Sequence, residues 1–132
     1  ILDSKFIQPG NDGVDFSMSN VNLSNVNFEE CKDKCMSVGE GSNLLGKFLN
    51  FKNCDTGIAV KDRSQLNLSS SAFNSCRVAL HSFRKKWRWE IGGVSNLKGV
   101  KFNNSREVDI IGDKYSKVVI EKSTSKIKTL SK

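Results

Sequence analysis

The sequence predicts an all-β protein, a right-handed parallel β-helix solenoid of about five coils, with about 22 residues and three short strands per coil. Three observations predict this fold class. A Phe-x-x-Cys motif recurs at that spacing, short apolar-x-apolar stretches recur in step with it, and Gly, Asn, Asp and Ser separate the stretches. Self-similarity at a fixed period is the signature of a repeat architecture, and period-two alternation between turn residues is typical of strands.

The Phe-x-x-Cys motif anchors the repeat. It occurs at Phe28–Cys31, Phe51–Cys54 and Phe73–Cys76, and it returns at Phe102–Ser105 with Ser in place of Cys. The steps between successive Phe residues are 23, 22 and 29, so one coil carries an insertion. Stacking such repeats at the strand spacing of about 4.8 Å places like residues above like in parallel sheets. The usual chirality of parallel crossovers makes the coil right-handed.

Residues that point outward from the same level of successive coils form columns, and these columns show whether catalytic carboxylates could lie side by side. The sequence aligns the first strands at Val14–Phe16, Met36–Val38, Ile58–Val60, Val78–Leu80 and Val108–Ile110. Their outward residues are then Asp15, Ser37, Ala59, Ala79 and Asp109. No two carboxylates stand on adjacent coils, so the acid–base pair of glycoside chemistry has no evident position on these faces.

The 132 residues predict one domain in three parts. Residues 1–10 are an N-terminal cap or partial coil, residues 11–112 are the parallel β-helix, and residues 113–132 are a last partial coil with a Lys-rich tail. No apolar run approaches the length of a membrane span, so no membrane insertion is expected. The absence of an initial Met suggests a processed chain or a piece of a larger one.

The net charge of +7 is unevenly distributed. Residues 1–83 hold 8 Lys or Arg and 9 Asp or Glu, whereas residues 84–132 hold 13 and 5. A basic last third suits an acidic partner such as an anionic polysaccharide, and it is also typical of a solvated Lys-rich end kept soluble by its charge. Nucleic-acid binding is not expected, because the rest of the chain shows no basic stripe.

The cysteines allow three interpretations. Cys31, Cys54 and Cys76 should stack on adjacent coils, with Cys35 four residues after the first of them. They could be a ladder of buried thiols without function, a disulfide pair with a third thiol left over, or a zinc site. The spacing lacks the paired short steps of zinc ligands, so neither a metal nor another cofactor is expected.

Two neighbouring features are candidate sites. A rim cluster at one corner should gather Glu40, Lys61, Asp62 and His81, although such clusters are more often surface ion pairs. Beside it lies the insertion, whose aromatic and cationic residues could hold an acidic sugar or could fold back as a structural cap. The predicted binding residues of the insertion are Arg84, Lys85, Lys86, Trp87, Arg88 and Trp89.

Three turn-and-strand segments resemble coils of the pectate-lyase-like superfamily of right-handed parallel β-helices. They are Asn11–Phe16, Asp33–Glu40 and Asp55–Asp62, and the resemblance covers about residues 11–112. This superfamily includes polysaccharide lyases, hydrolases, epimerases, phage tailspikes and non-catalytic surface modules. The resemblance therefore implies a fold and a carbohydrate-related setting, and it leaves the activity open.

We expect a non-catalytic β-helical module of a larger bacterial or phage-type surface or exported protein. It would be extracellular or on the cell surface, would present the basic loop to an acidic glycan or a protein partner, and could associate by stacking of its open ends. The alternative is a polysaccharide lyase or epimerase acting on uronate-containing polymers. In that case Lys61 and His81 would transfer protons and Arg84 would neutralise a carboxylate.

Overall fold

A computed structural model describes residues 1–121 and 127–130. Within these residues the chain forms fourteen β-strands and no helix. The strands are β1 (Leu2–Ile7), β2 (Val14–Ser17), β3 (Asn20–Glu29), β4 (Lys34–Gly39), β5 (Asn43–Lys52), β6 (Thr56–Lys61), β7 (Gln65–Ser69), β8 (Ala72–Asn74), β9 (Val78–Phe83), β10 (Val94–Lys98), β11 (Lys101–Asn103), β12 (Val108–Asp113), β13 (Lys117–Glu121) and β14 (Ile127–Leu130).

The strands stack in two parallel sheets. One has the order β1-β3-β5-β7-β10-β13, with β8 and β11 beside it, and the other has the order β2-β4-β6-β9-β12-β14. Neighbouring strands are one repeat apart, since Phe6 pairs with Phe28 and Phe28 pairs with Phe51. The predicted parallel β-helix of about five coils is confirmed.

Corners with left-handed backbone conformation separate the straight segments of each coil. Asn25 and Phe48 have φ of 54° and 57° in the middle of β3 and β5. At the same level of the next two coils, Ser70 and Gly99 have φ of 48° and 62°. The second and third predicted strands of a coil are therefore two arms around one corner, continuous in β3 and β5 and separate in the later coils.

A column of phenylalanine rings fills the centre of the solenoid. Phe28, Phe51 and Phe73 are almost completely buried. The rings of Phe6, Phe28, Phe51, Phe73 and Phe102 stack with successive centroid distances of 5.1, 5.0, 4.6 and 5.5 Å. Burial of each such side chain contributes roughly 1.5–3 kcal/mol, and the stacked rings connect five successive coils.

The alignment of β9 and β12 with the earlier coils was wrong by two residues, although these two strands were aligned correctly with each other. Ala59 pairs with His81, and Lys61 pairs with Phe83, so the outward residue at this level of the fourth coil is His81 instead of Ala79. Thr56 is buried at an inward position opposite Val78. Thr56 is polar, so a search for apolar triplets passes over it and begins the third coil at Ile58. That triplet is then aligned with Val78, whose true partner is Thr56.

The ends of the chain extend the stack. Strand β1 pairs with β3, so the first residues form part of a coil, and β14 pairs with β12 at the other end. The remainder of the predicted Lys-rich tail, residues 122–126 and 131–132, lies outside the described residues. In the described part of the chain, no helix has the length and apolar character needed to cross a membrane.

Candidate binding site

The insertion forms a loop between β9 and β10, and two carboxylates hold its first residues. Asp113 Oδ2 accepts a hydrogen bond from the backbone N–H of Arg84 at 2.7 Å. Asp62 Oδ1 accepts from the backbone N–H groups of Lys85 and Lys86 at 2.8 and 3.0 Å. Asp62 is fully buried, so these charge-assisted bonds are shielded from water and define the start of the loop.

The predicted rim cluster is divided by this arrangement. Glu40 lies at the same corner as Asp62, and its Oε1 is 2.7 Å from Lys86 Nζ. The hydrogen bond from Lys86 holds the pKa of Glu40 below its usual value. Asp62 and Glu40 thus attach the loop to the solenoid, whereas His81 lies on the outer face of β9, two residues before the end of that strand.

The two tryptophans of the loop have different environments. Trp87 is 87% exposed. Trp89 is half-buried, and its ring lies near the corner residue Gly41, where an added Cβ would be 3.9 Å from Trp89 Cη2. The indole N–H of Trp89 is buried without a hydrogen-bond partner among the described residues. Trp89 therefore packs as part of a cap, while Trp87 is available to a ligand.

A cavity of about 460 Å³ opens beside the exposed Trp87. Its wall combines three aromatic rings, a histidine, two cations and one carboxylate. The lining residues are His81, Phe83, Arg84, Lys85, Trp87, Asp113 and Tyr115. Of the six predicted binding residues, the structure places Arg84, Lys85 and Trp87 at this cavity.

The two cations of the cavity wall are held differently. The Arg84 guanidinium lies 3.6 Å from the centre of the Tyr115 ring, and one of its nitrogens donates to the Trp89 carbonyl oxygen at 3.3 Å. Lys85 is exposed, and its ammonium forms no ion pair with any residue in the described ranges. Arg84 is thus preorganised, while Lys85 can reorient towards a ligand.

Two titratable nitrogen groups, His81 and Lys61, lie on the strands beside the loop. Burial lowers the pKa of His81, and the opposing effect of Asp113 is smaller. Its ring is 4.4 Å from the ring of Phe83. Lys61 is beside Phe83 on the adjacent strand, and burial lowers its pKa, with a further contribution from the charge of Lys85. His81 is therefore neutral at pH 7, the form that can accept a proton.

Sequence reasoning missed three residues of the cavity wall, Phe83, Asp113 and Tyr115. Asp113 follows Gly112, and Gly112 pairs with Ser82, so the next coil brings Asp113 beside Phe83. A correct register for β9 would have placed Asp113 at this corner. The repeat pattern does not predict that Arg84 stacks on the Tyr115 ring, because this contact depends on how the loop folds.

The cysteine column is tighter than a ladder of separate thiols. The Sγ atoms of Cys31, Cys35 and Cys54 all lie within 4.8 Å of one another, and the three residues are buried. Cys76 is buried in the next coil, and burial raises the pKa of its thiol to about 11. The Cys35 side chain therefore contacts both Cys31 and Cys54, which stack on adjacent coils.

Comparisons of the chain with protein-family models, with curated proteins and with solved structures find no match. The chain is a parallel β-solenoid of about five turns.

Proposed function

We propose that this protein is a non-catalytic carbohydrate-binding module that holds an acidic polysaccharide at the cavity beside the loop. The observation that carries the proposal is the 87% exposure of Trp87 on the wall of a cavity that also contains Arg84 and Lys85. An exposed indole presents a flat apolar face to solvent, and sugar rings present flat faces of C–H groups. Stacking of the two removes both faces from water.

The cations supply selectivity for an acidic sugar. Lys85 has an ammonium free to approach a uronate carboxylate, and Arg84 is oriented by its contact with Tyr115. Charge-assisted hydrogen bonds of this kind are stronger than neutral ones, and a guanidinium can bind a carboxylate with two parallel bonds. The basic last third of the chain adds a long-range attraction for a polyanion.

The setting we propose is that of a pectate-lyase-like β-helix within a larger surface or exported protein. The stacked coils are a rigid scaffold, and the insertion is the largest departure from their repeat. Loops positioned by a rigid scaffold carry binding more often than the scaffold does. A protein ligand with acidic side chains would use the same cations, but it would not depend on stacking against a sugar ring.

The test is a binding titration of the folded chain with an oligogalacturonide and, for comparison, with a neutral oligosaccharide of the same length. We expect Trp87→Ala to weaken binding of the acidic oligosaccharide at least about tenfold. The matched control is Phe48→Ala, because Phe48 is another exposed aromatic residue with a cation, Lys47, 4.9 Å from its ring. This control should bind as the wild type does.

Added salt should weaken the interaction, because exposed charges are screened within about 10 Å at 0.1 M. The proposal is wrong if the wild type does not bind the acidic oligosaccharide. It is also wrong if Phe48→Ala weakens binding as much as Trp87→Ala.

One observation favours a second function, that of a lyase or epimerase acting on uronates. His81 lines the same cavity as Arg84, and its lowered pKa leaves the imidazole neutral. A neutral imidazole could abstract the proton next to a carboxylate that Arg84 neutralises. The same titration mixtures, followed by ultraviolet absorbance of unsaturated ends and by sugar epimer analysis, distinguish the two functions. Product that disappears in His81→Ala would establish the enzyme, and binding without product supports the module.

A further inference from the structure

The three clustered cysteines have a geometry that two disulfides could use. Cys31 and Cys35 have a Cα–Cα distance of 5.3 Å, and Cys35 and Cys54 have one of 6.7 Å. Both distances are within the range that disulfides span, about 4.4–6.8 Å. Because a sulfur atom forms a single disulfide, the two bonds exclude each other. Cys35 is the shared partner, and each state leaves one thiol unpaired.

We propose that Cys31, Cys35 and Cys54 form a thiol–disulfide exchange site that reacts with low-molecular-weight disulfides and thiols. This site is separate from the cavity beside Trp87, and the proposal does not depend on the binding function. Three features support it: the shared Cys35, an access route at Cys31, and different surroundings for the two thiols that compete for Cys35.

The access route is a second cavity at the corner that follows β3 and β5, whereas the loop follows the end of β9. It has a volume of about 410 Å³, and its lining residues are Gln8, Glu30, Cys31, Lys32 and Asn53. Cys31 lines this cavity and also packs in the hydrophobic core, with 2% of its surface exposed, so it lies at the boundary between the two. Lys32 places a cation and Glu30 a carboxylate on the same wall, so the solute that reaches Cys31 meets both charges.

The competing thiol lies in the core. Cys54 is fully buried, and its Sγ is 3.4 Å from the carbonyl oxygen of Lys52, which can accept a weak hydrogen bond from the S–H group. When Cys31 is paired with Cys35, the free thiol is therefore the buried Cys54. When Cys54 is paired with Cys35, the free thiol is Cys31 at the cavity, and the protein becomes reactive towards solutes.

The chemistry is a sequence of balanced exchanges. The Cys31 thiolate attacks a disulfide RS–SR, the S–S bond breaks, RS⁻ leaves, and a Cys31–S–S–R mixed disulfide forms. The Cys35 thiolate attacks Cys31 Sγ and expels the second RS⁻. The protein has then lost two electrons, and RS–SR has been reduced to two thiols. Attack of the Cys54 thiolate on Cys35 Sγ next forms Cys35–Cys54 and releases the Cys31 thiolate, with no further oxidation.

Cys76 is the internal control, because it belongs to the same column without joining the cluster. It is free and buried, and its Sγ is outside the group of three sulfur atoms that lie within 4.8 Å of one another, so among the described residues it has no cysteine partner with which to form a link. Cys76 should remain reduced under conditions in which the other three cysteines exchange.

The experiment equilibrates the full, reduced chain in buffers of reduced and oxidised glutathione. Acid quenching, alkylation of free thiols and tryptic digestion follow, and mass spectrometry identifies the linked peptides. Trypsin separates the relevant sites, since Lys32 and Lys34 lie between Cys31 and Cys35. We expect both the Cys31–Cys35 and the Cys35–Cys54 peptides, a glutathione adduct on Cys31, and unmodified Cys76.

Variants sharpen the result. Cys31→Ser should lose the glutathione adduct and form the Cys35–Cys54 link much more slowly than the wild type, because Cys31 is the entry point for glutathione disulfide. Cys54→Ser should leave only the Cys31–Cys35 link, and Cys76→Ser should match the wild type. The linked peptides of the wild type decide the proposal by themselves, so the test does not depend on whether each variant folds. A single link that never redistributes would overturn the proposal. So would three thiols that stay reduced around a metal ion detected in the intact protein.

Discussion

The phenylalanine column and the loop after β9 are opposite in character. The column repeats one residue type at one level of successive coils, and its rings are stacked about one coil apart, with the three central rings buried and the two end rings partly buried. The loop occurs once, and its aromatic residues range from the half-buried Trp89 to the 87% exposed Trp87. Repetition thus builds the scaffold, and the departure from repetition builds the candidate site.

The difference also concerns what holds each region in place. The column depends on apolar burial, which is non-directional and scales with area. The loop depends on a few directed bonds to Asp62, Asp113 and Glu40. The column should therefore determine whether the protein folds, and the loop contacts should determine the shape of the cavity with a smaller effect on stability.

The largest expected effect is in the column. Phe51→Ala should lower the free energy of unfolding by about 3–5 kcal/mol, because it opens a void between two stacked rings. Chemical denaturation measures this change. Phe48→Ala, in the same strand, removes a ring that is 53% exposed and should cost far less. Equal losses in the two variants would contradict the distinction between the column and the surface.

A smaller loss is expected where a coil has no room for a side chain. A Cβ added at Gly57 would lie 2.5 Å from the Ala79 carbonyl oxygen and 2.6 Å from Phe73 Cε1. Gly57→Ala should therefore cost about 1–3 kcal/mol through displacement of these neighbours. Thermal unfolding measures it, with Gly10→Ala as the control, since no atom lies within 4 Å of a Cβ there. An unchanged melting temperature for Gly57→Ala would show that the coils separate more readily than their packing indicates.

The loop should respond locally to Asp62→Asn. The amide keeps an acceptor for the N–H groups of Lys85 and Lys86 but removes the charge, which should cost about 1 kcal/mol. Hydrogen exchange at these two amides should accelerate while exchange in β6 and β9 is unchanged. Glu90→Gln is the control, because Glu90 is exposed and contacts only Arg63 among the ion pairs of the described residues. Uniform acceleration across the solenoid would show that Asp62 supports the coils as well.

The smallest effect concerns pH. Burial lowers the pKa of His81 in the folded protein below its unfolded value of about 6.5. The unfolded chain therefore takes up the proton first as pH falls. The contribution of neutral His81 to stability is complete above about pH 6.5 and is lost as pH falls through the lowered folded pKa. The charges of Asp113, Arg77 and Lys34 also act on this group.

Unfolding free energies of the wild type and of His81→Gln, measured by urea denaturation from pH 7 to pH 5, test this expectation. The wild type should lose more stability than the variant over this interval. Identical pH dependence in the two proteins would rule out a contribution from His81.

The repeat was predictable because its apolar positions recur with a fixed period, and the register of most strands followed. The two-residue shift of β9 and β12 against the earlier coils shows the limit of this approach. A shift of two residues preserves the alternation of inward and outward positions, so alternation alone does not detect it. The inward residue opposite Val78 is the buried Thr56, which a search for apolar positions misses. The predicted rim was therefore misplaced, with His81 assigned to the corner when it lies on the sheet face.

Contacts between coils also decide which of the predicted binding residues reach the cavity. Composition alone does not show which of Trp87 and Trp89 is exposed, since both adjoin Arg88 in the same short segment. Their roles depend on the direction of the loop, which the buried carboxylate of Asp62 and the ring of Tyr115 determine through contacts across coils.

By itself the sequence determined the all-β class, the coil length and the residues that face the core, because stacked coils bury like residues above like and selection for that burial leaves a visible period. The tertiary structure decided which aromatic ring faces the cavity, which carboxylates hold the loop, and that Cys35 meets both Cys31 and Cys54. These contacts join residues from different coils or from a segment without a repeat, so no local pattern in the chain records them.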